Sequence, residues 1–319
     1  MKAIIFLKKN IIFFFLYSFL IFTIFFDLLF SKHKYDYTFF IKSKETLNKI
    51  TENLYQQNII NNKFLFKLFV RITFAEKKLK AGEYKFYNDN IFEIISKLKK
   101  GDVYLRKLTI PEGLSTKEII EIIKNEDGIY VDNSINFEEI KEGELFPSTY
   151  FYAYGTNYNI IINNMKKRMK LILEKAWKNR DENLNLNNYN EVLILASIIE
   201  KETSLNYEKP IIAQVFLKRL KLNMKLQSDP TVIYGMKKEI DNTMKEIDLK
   251  HDSKFNTYLY YGLPIGPICN PGEDSIVAAT KPNLGDFLYF VADGKGGHNF
   301  SNNFKEHLLN IDKLRKYKQ

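Results

Sequence analysis

Residues 11–30, IIFFFLYSFLIFTIFFDLLF, run for twenty positions with a single charge, Asp27. As a helix rising about 1.5 Å per residue, such a run covers the ~30 Å hydrocarbon core of a bilayer. A helix this apolar on every side is a poor fit to the surface of a water-soluble domain. A cleaved signal peptide would carry a shorter apolar region, about 7–15 residues, closing on small residues. Here no alanine stands between Ala3 and Ala75. The reading is an uncleaved transmembrane anchor over residues 11–31 after a short cytoplasmic N-terminus, residues 1–10. Lys2, Lys8 and Lys9 precede the run and Lys32 and Lys34 follow it, so flanking charge orients it only weakly. The large C-terminal part is expected on the outer side.

The 319 residues are 45% hydrophobic, enough for a sizeable core and too many for a disordered chain. Lys and Arg outnumber Asp and Glu by 48 to 38, a net charge of +10 that suits anionic partners such as a membrane surface or an acidic polymer. No basic run interleaved with aromatics marks a nucleic-acid site. A single cysteine, Cys269, excludes an intramolecular disulfide. Four scattered histidines offer no zinc-ligand spacing, so neither metal nor cofactor is expected.

Beyond the anchor the pattern is α+β. Residues 36–106 read as strand, helix, helix, strand (AGEYKFY), helix and strand (VYLRKLTI), a small α+β subdomain. Ser43 is read as the N-cap of the first helix. Asn90 with Glu93, and Ser115 with Glu118, stand at capping-box spacing. Residues 107–319 read as a larger mixed α+β domain. It holds an amphipathic helix over 158–178, a polar loop over 179–190, a helix over 207–223, and a helix opening at Asp229–Pro230 with Asp229 as cap. A Gly/Pro-dense loop follows over 260–272, then a buried strand, a glycine turn and a second edge over 287–300.

The stretch NEVLILASIIEKE ends an apolar helix on two glutamates. On a helical wheel Glu202 lies within roughly 20° of Leu195, on the face of Ile198 and Ile199, while Glu200 points about 140° away, toward the polar side. A carboxyl against apolar walls at a helix C-terminus has its charged form disfavoured and can serve as a general acid. The competing reading is a helix-ending glutamate paired with a nearby Lys or Arg.

Five segments, ASIIEKET, LQSDPTVIYG, FNTY, GLPIGPICNPG and YFVADGKGGHNF, stand in that order between residues 196 and 300. Together they closely resemble the YceG-like endolytic murein transglycosylases, the MltG family, and the likeness extends to the N-terminal anchor, to AGEYKF and to the small subdomain over residues 36–106, which the resemblance makes LysM-like. The resemblance implies a membrane-held enzyme facing the periplasm or cell wall. It would cut nascent glycan strands of peptidoglycan at the MurNAc-β-1,4-GlcNAc bond without water, leaving 1,6-anhydro ends and so ending strand growth. Peptidoglycan synthases would be its neighbours. It places the catalytic acid at the second glutamate of EKET, here Glu202. Gln227, Asp229, Asn256, Tyr258, Asn270 and His298 lie in matching motifs and are candidates for lining the cleft. Each also has a plainer reading: Asp229 as a cap, Asn256 as the fastener of a turn, Tyr258 as core, His298 as a brace for its loop. Lys254 stands where many relatives have proline, and Cys269 is read as a small apolar residue. Two other functions fit the same residues: a hydrolytic muramidase with Asp229 placing a water, and a non-catalytic glycan-binding scaffold for wall synthases.

Overall fold

A computed structural model describes residues 14–20, 22, 23, 26, 36–131, 139–236 and 246–317. Most of the expected anchor therefore lies outside the described residues, and among those described no helix is long and apolar enough to cross a membrane. The chain divides into two compact units, residues 1–106 with 151–156, and residues 107–150 with 157–319. Both mix helices with two-stranded sheets, an α+β architecture.

The first unit runs β1 (Asp36–Ile41), α1 (Leu47–Gln56), α2 (Lys63–Ile72), β2 (Gly82–Tyr87) and α3 (Ile91–Lys100). β1 and β2 pair antiparallel, from Asp36 opposite Tyr87 to Ile41 opposite Gly82. The 3.6-residue spacing puts Leu47, Ile50 and Leu54 of α1 and Ile91, Ile94, Ile95 and Leu98 of α3 into one core with Phe39, Tyr84 and Phe86 from the sheet. α3 carries the full Asn90–Glu93 capping box and ends on Gly101 at φ +73°, a left-handed cap that glycine adopts without a Cβ penalty. α1 is capped by Thr46, which accepts from the Lys49 N–H, and not by Ser43. Ser43 sits in the turn that the Glu45 N–H closes onto the Lys42 carbonyl, three residues before the capping position.

β3 (Leu105–Thr109) and its partner β5 (Thr149–Ala153) carry the chain between units. The second unit then holds α4 (Thr116–Asn125), β4 (Ile129–Tyr130), β6 (Thr156–Asn157), α5 (Tyr158–Lys178), α6 (Tyr189–Glu202), α7 (Lys209–Lys221), α8 (Asp229–Gly235) and α9 (Glu273–Thr280). It closes with β7 (Tyr289–Ala292), β8 (His298–Ser301) and α10 (Phe304–Tyr317). α4 has the Ser115–Glu118 capping box. α6 is the axis: α5, α7 and α9 pack on it, and every residue from Val192 to Ile199 is buried. A helix buried on all sides has no polar side to offer, which matters for Glu200 below. β7 and β8 form an antiparallel hairpin whose first strand is half-buried, where the sequence suggested a buried one.

Candidate functional site

Glu202 is the last residue of α6, and Thr203 leaves the helix in an extended conformation. The Glu202 side chain is half-buried. Its Oε1 accepts a 2.5 Å hydrogen bond from the hydroxyl of Ser228. Ser228 is itself 2% exposed and held from three directions. Its N–H donates to Thr257 Oγ1 at 2.9 Å, its carbonyl accepts from Thr231 Oγ1 at 2.6 Å, and the two threonine hydroxyls bond each other at 2.9 Å. The turn entering this position places Gln227 at φ +52°, a left-handed conformation uncommon for a residue with a Cβ, with its N–H on the Thr257 carbonyl. Three of the five segments, around Glu202, Ser228 and Thr257, thus converge.

Asp229 does not cap α8. Ser228 occupies the N-cap position, with no side-chain cap bond, and the exposed Asp229 carboxylate accepts from Tyr258 Oη at 2.5 Å. Burial, then that bond and the Asp229 charge, hold the Tyr258 phenol protonated far above its ordinary value. Arg219 approaches from α7, buried, donating to the carbonyls of Leu288 at 2.8 Å and Leu226 at 2.7 Å. It fixes the irregular segment that leads into Ser228.

Burial pushes the Glu202 pKa up to about 7. The Asp229 charge acts in the same direction, while the Ser228 hydroxyl and the Arg219 guanidinium pull it back by favouring the carboxylate. A carboxyl so balanced holds a proton near neutrality and is stabilised once it has given it up, the two properties a group needs to serve first as acid and then as base.

Not every candidate gathers here. Gln227 and Asp229 are exposed beside Ser228, and Tyr258 joins them through Asp229. Asn256 is fully buried: its amide donates to the carbonyls of Leu249 and His251 and accepts from the Tyr258 N–H. Asn270 is also fully buried, donating to the Leu114 carbonyl, Thr116 Oγ1 and Glu142 Oε1 and accepting from the Leu145 N–H. As residues lining a cleft both are corrected: a side chain with no exposure and a filled set of partners fastens loops. His298 gives its backbone N–H to Glu208 Oε1 and brings Nδ1 to Oε2, each at 2.8 Å. The same Glu208 carboxylate, 2% exposed, accepts from Thr203 Oγ1, next to Glu202 in the chain.

Glu200 is the other correction. It points inward, accepting from the Gly272 N–H at 3.0 Å and Ser275 Oγ at 2.6 Å and pairing with Lys209, itself 2% exposed. The Gly/Pro loop backs α6 in the same way: the Ile268 N–H donates to Ser197 Oγ, and Cys269 lies on the Ser197 carbonyl. Burial raises the Cys269 thiol well above its ordinary pKa, so it carries no thiolate. Among the described residues, no three His, Cys, Asp or Glu side chains converge as metal ligands.

Sequence reasoning passed over Ser228, Arg219 and Glu208. Arg219 left a signal, a charge at helical spacing from the buried Ile212, Val215 and Phe216. Glu208 left none, because His298, which takes both of its carboxylate oxygens, lies 90 residues away.

The chain is 32% identical over 297 residues to the endolytic murein transglycosylase of Bacillus subtilis, covering 84% of this chain and 81% of that protein. It is 27% identical over 317 residues to the endolytic murein transglycosylase of Streptococcus pneumoniae, covering 85% of this chain and 57% of that protein. The crystal structure of a yceG-like protein from Listeria monocytogenes superposes with a TM-score of 0.55 at 30% identity, over 87% of this chain and 99% of that one. Residues 39–313 match the YceG-like family, and the chain belongs to it.

Proposed function

We propose that this protein is an endolytic murein transglycosylase with Glu202 as its acid and base. The observation that carries the reading is the half-buried Glu202 carboxyl, titrating near neutrality and backed by Ser228. In the first half of the reaction Glu202 gives its proton to the glycosidic oxygen as the bond from MurNAc C1 breaks and GlcNAc leaves. In the second half the MurNAc 6-hydroxyl closes on C1 and its proton returns to Glu202. The acid is regenerated, no water is consumed, and a 1,6-anhydro end results. The tethered hydroxyl replaces the second carboxylate that most glycosidases need. By reaction class this is a carbon–oxygen lyase. The exposed Gln227 amide, able to donate and accept, is a sugar contact, and Asp229 with Tyr258 forms an acceptor beside the reacting centre.

The run over residues 11–31 anchors the protein in the cytoplasmic membrane by a single pass, with residues 1–10 in the cytoplasm and the rest facing the periplasm or wall. Residues 36–106 form the LysM-like subdomain and residues 107–319 the catalytic domain. Peptidoglycan synthases are the neighbours that such a strand-terminating activity implies.

Mass spectrometry of glycan fragments tests the reading. Anhydro ends weigh one water less than reducing ends, so reducing ends would identify a hydrolytic muramidase. Glu202→Gln keeps the shape and removes the proton. Unchanged digestion by that variant would end the assignment, and glycan binding without cleavage by the wild type would point to a scaffold.

A further inference from the structure

α2 carries two apolar stripes. Leu65, Phe66 and Val70 face the core of the first unit. Phe64, Leu68 and Ile72, each four residues from the last, form a second stripe that is 72%, 37% and 58% exposed. Phe74, just past the helix, continues it at 82% exposure. It does so at φ +51°, a left-handed conformation that a bulky side chain adopts only at a cost. Cations border these rings: Lys67 and Arg71 on the helix, and Lys77 and Lys78 in the following turn; two carboxylates stand among them, Glu76 at 3.8 Å from Arg71 and Glu52, which pairs with Lys63 and acts on Lys67.

An amphipathic helix with exposed aromatics and flanking Lys and Arg has the composition of a segment lying in a bilayer interface, its rings among the acyl boundary and its cations on headgroup phosphates. The chain itself supplies the occupant. The apolar run ends at Phe30 and β1 begins at Asp36, with SKHKY between. Five residues span at most about 18 Å, so a membrane holding residues 11–30 lies within reach of the first unit. We propose that the Phe64–Leu68–Ile72–Phe74 face rests on the outer surface of the same anionic bilayer that holds the anchor, orienting the first unit on it. The proposal rests on the anchor reading given above.

The test uses the full chain in proteoliposomes, in a Cys269→Ala background, with an environment-sensitive fluorophore on Leu68→Cys or on the exposed control Ser43→Cys. Vesicles contain phosphatidylglycerol or only phosphatidylcholine, with a headgroup-proximal spin-labelled lipid as quencher. Resistance of the protein to alkaline extraction reports the anchor separately. The expected result is quenching at position 68 at least about twofold above position 43, stronger with phosphatidylglycerol, and lost when Phe64→Ser and Phe74→Ser are combined. Extraction-resistant protein with equal quenching at the two positions overturns the proposal and leaves the anchor standing. Extractable protein still quenched at position 68 upholds the lipid-binding face and removes the anchor. A blue-shifted label at position 68 that depends on protein concentration and not on lipid assigns the face to a second copy of the chain and overturns the proposal.

Discussion

At the scale of residues, the Ser228 hydroxyl decides how Glu202 behaves. Burial alone would hold Glu202 protonated further into the alkaline range; the 2.5 Å donation from Ser228 favours the carboxylate. Because the first step needs the protonated form, kcat/KM should fall as pH rises through about 7, the folded-state value. Ser228→Ala removes a stabiliser of the charged form. Its alkaline limb should move to higher pH, while kcat drops roughly tenfold because the carboxylate formed in the transition state loses a charge-assisted bond. A pH–rate profile on soluble glycan strands reads both effects. An unmoved limb would mean that the two side chains are uncoupled in solution. Glu202→Gln should lose at least about 100-fold in kcat while still binding glycan, the loss being that of a general acid and not of a fold.

At the scale of elements, α6 is held by a collar of polar contacts. Glu200, with Lys209, Gly272 and Ser275, fixes one flank, and Glu208, with Thr203 and His298, fixes the end that presents Glu202. Gly297 belongs to this fit, since a Cβ there would stand 2.8 Å from Glu208 Oε1. Asn270→Ala should cost about 2–4 kcal/mol, because it strands several buried partners at once. Thermal unfolding should show that loss while the pH–rate profile of the folded fraction stays in place, which separates a fastener from a participant. Glu208→Gln turns one acceptor into a donor facing groups that already donate; it should lower kcat more than it raises KM, by loosening the end of α6. Equal changes in both would assign Glu208 to the general fold. These contacts also explain what the sequence could and could not carry. The capping boxes at Asn90 and Ser115, the extent of α5 and the direction of Glu202 follow from local spacing, and they were legible. The inward turn of Glu200 was not, because α6 is buried on all sides and two of its polar partners, Gly272 and Ser275, come from 72 and 75 residues away. Asp229 looked like a cap because Asp-Pro opens helices, yet Tyr258 claims its carboxylate. Asn256 and Asn270 sat in motifs that also hold less buried residues, Tyr258 in one and Ile265 in the other, and nothing local says which members of a motif face inward.

At the scale of the whole molecule, the site should cost stability in a way that depends on pH. The Glu202 pKa lies at about 7 in the fold against an ordinary 4.5. Between those values the native state holds more protons than the unfolded chain, so its stability falls as pH rises, and above about 7 the full cost of an ionised carboxyl in this setting is present. Glu202→Gln cannot ionise and escapes that cost. Its stability relative to the wild type should be small at pH 5 and reach about 1–3 kcal/mol at pH 8, the lower end allowing for water that still reaches a half-buried group. Urea unfolding of both proteins at the two pH values gives the difference directly, since titrations elsewhere in the chain cancel between them. A variant that is more stable and inactive would place Glu202 among groups kept for chemistry against the interest of the fold. A gap that does not widen from pH 5 to pH 8 would mean that Glu202 ionises as an ordinary surface carboxyl, and the proton needed for the first step would have to come from another group.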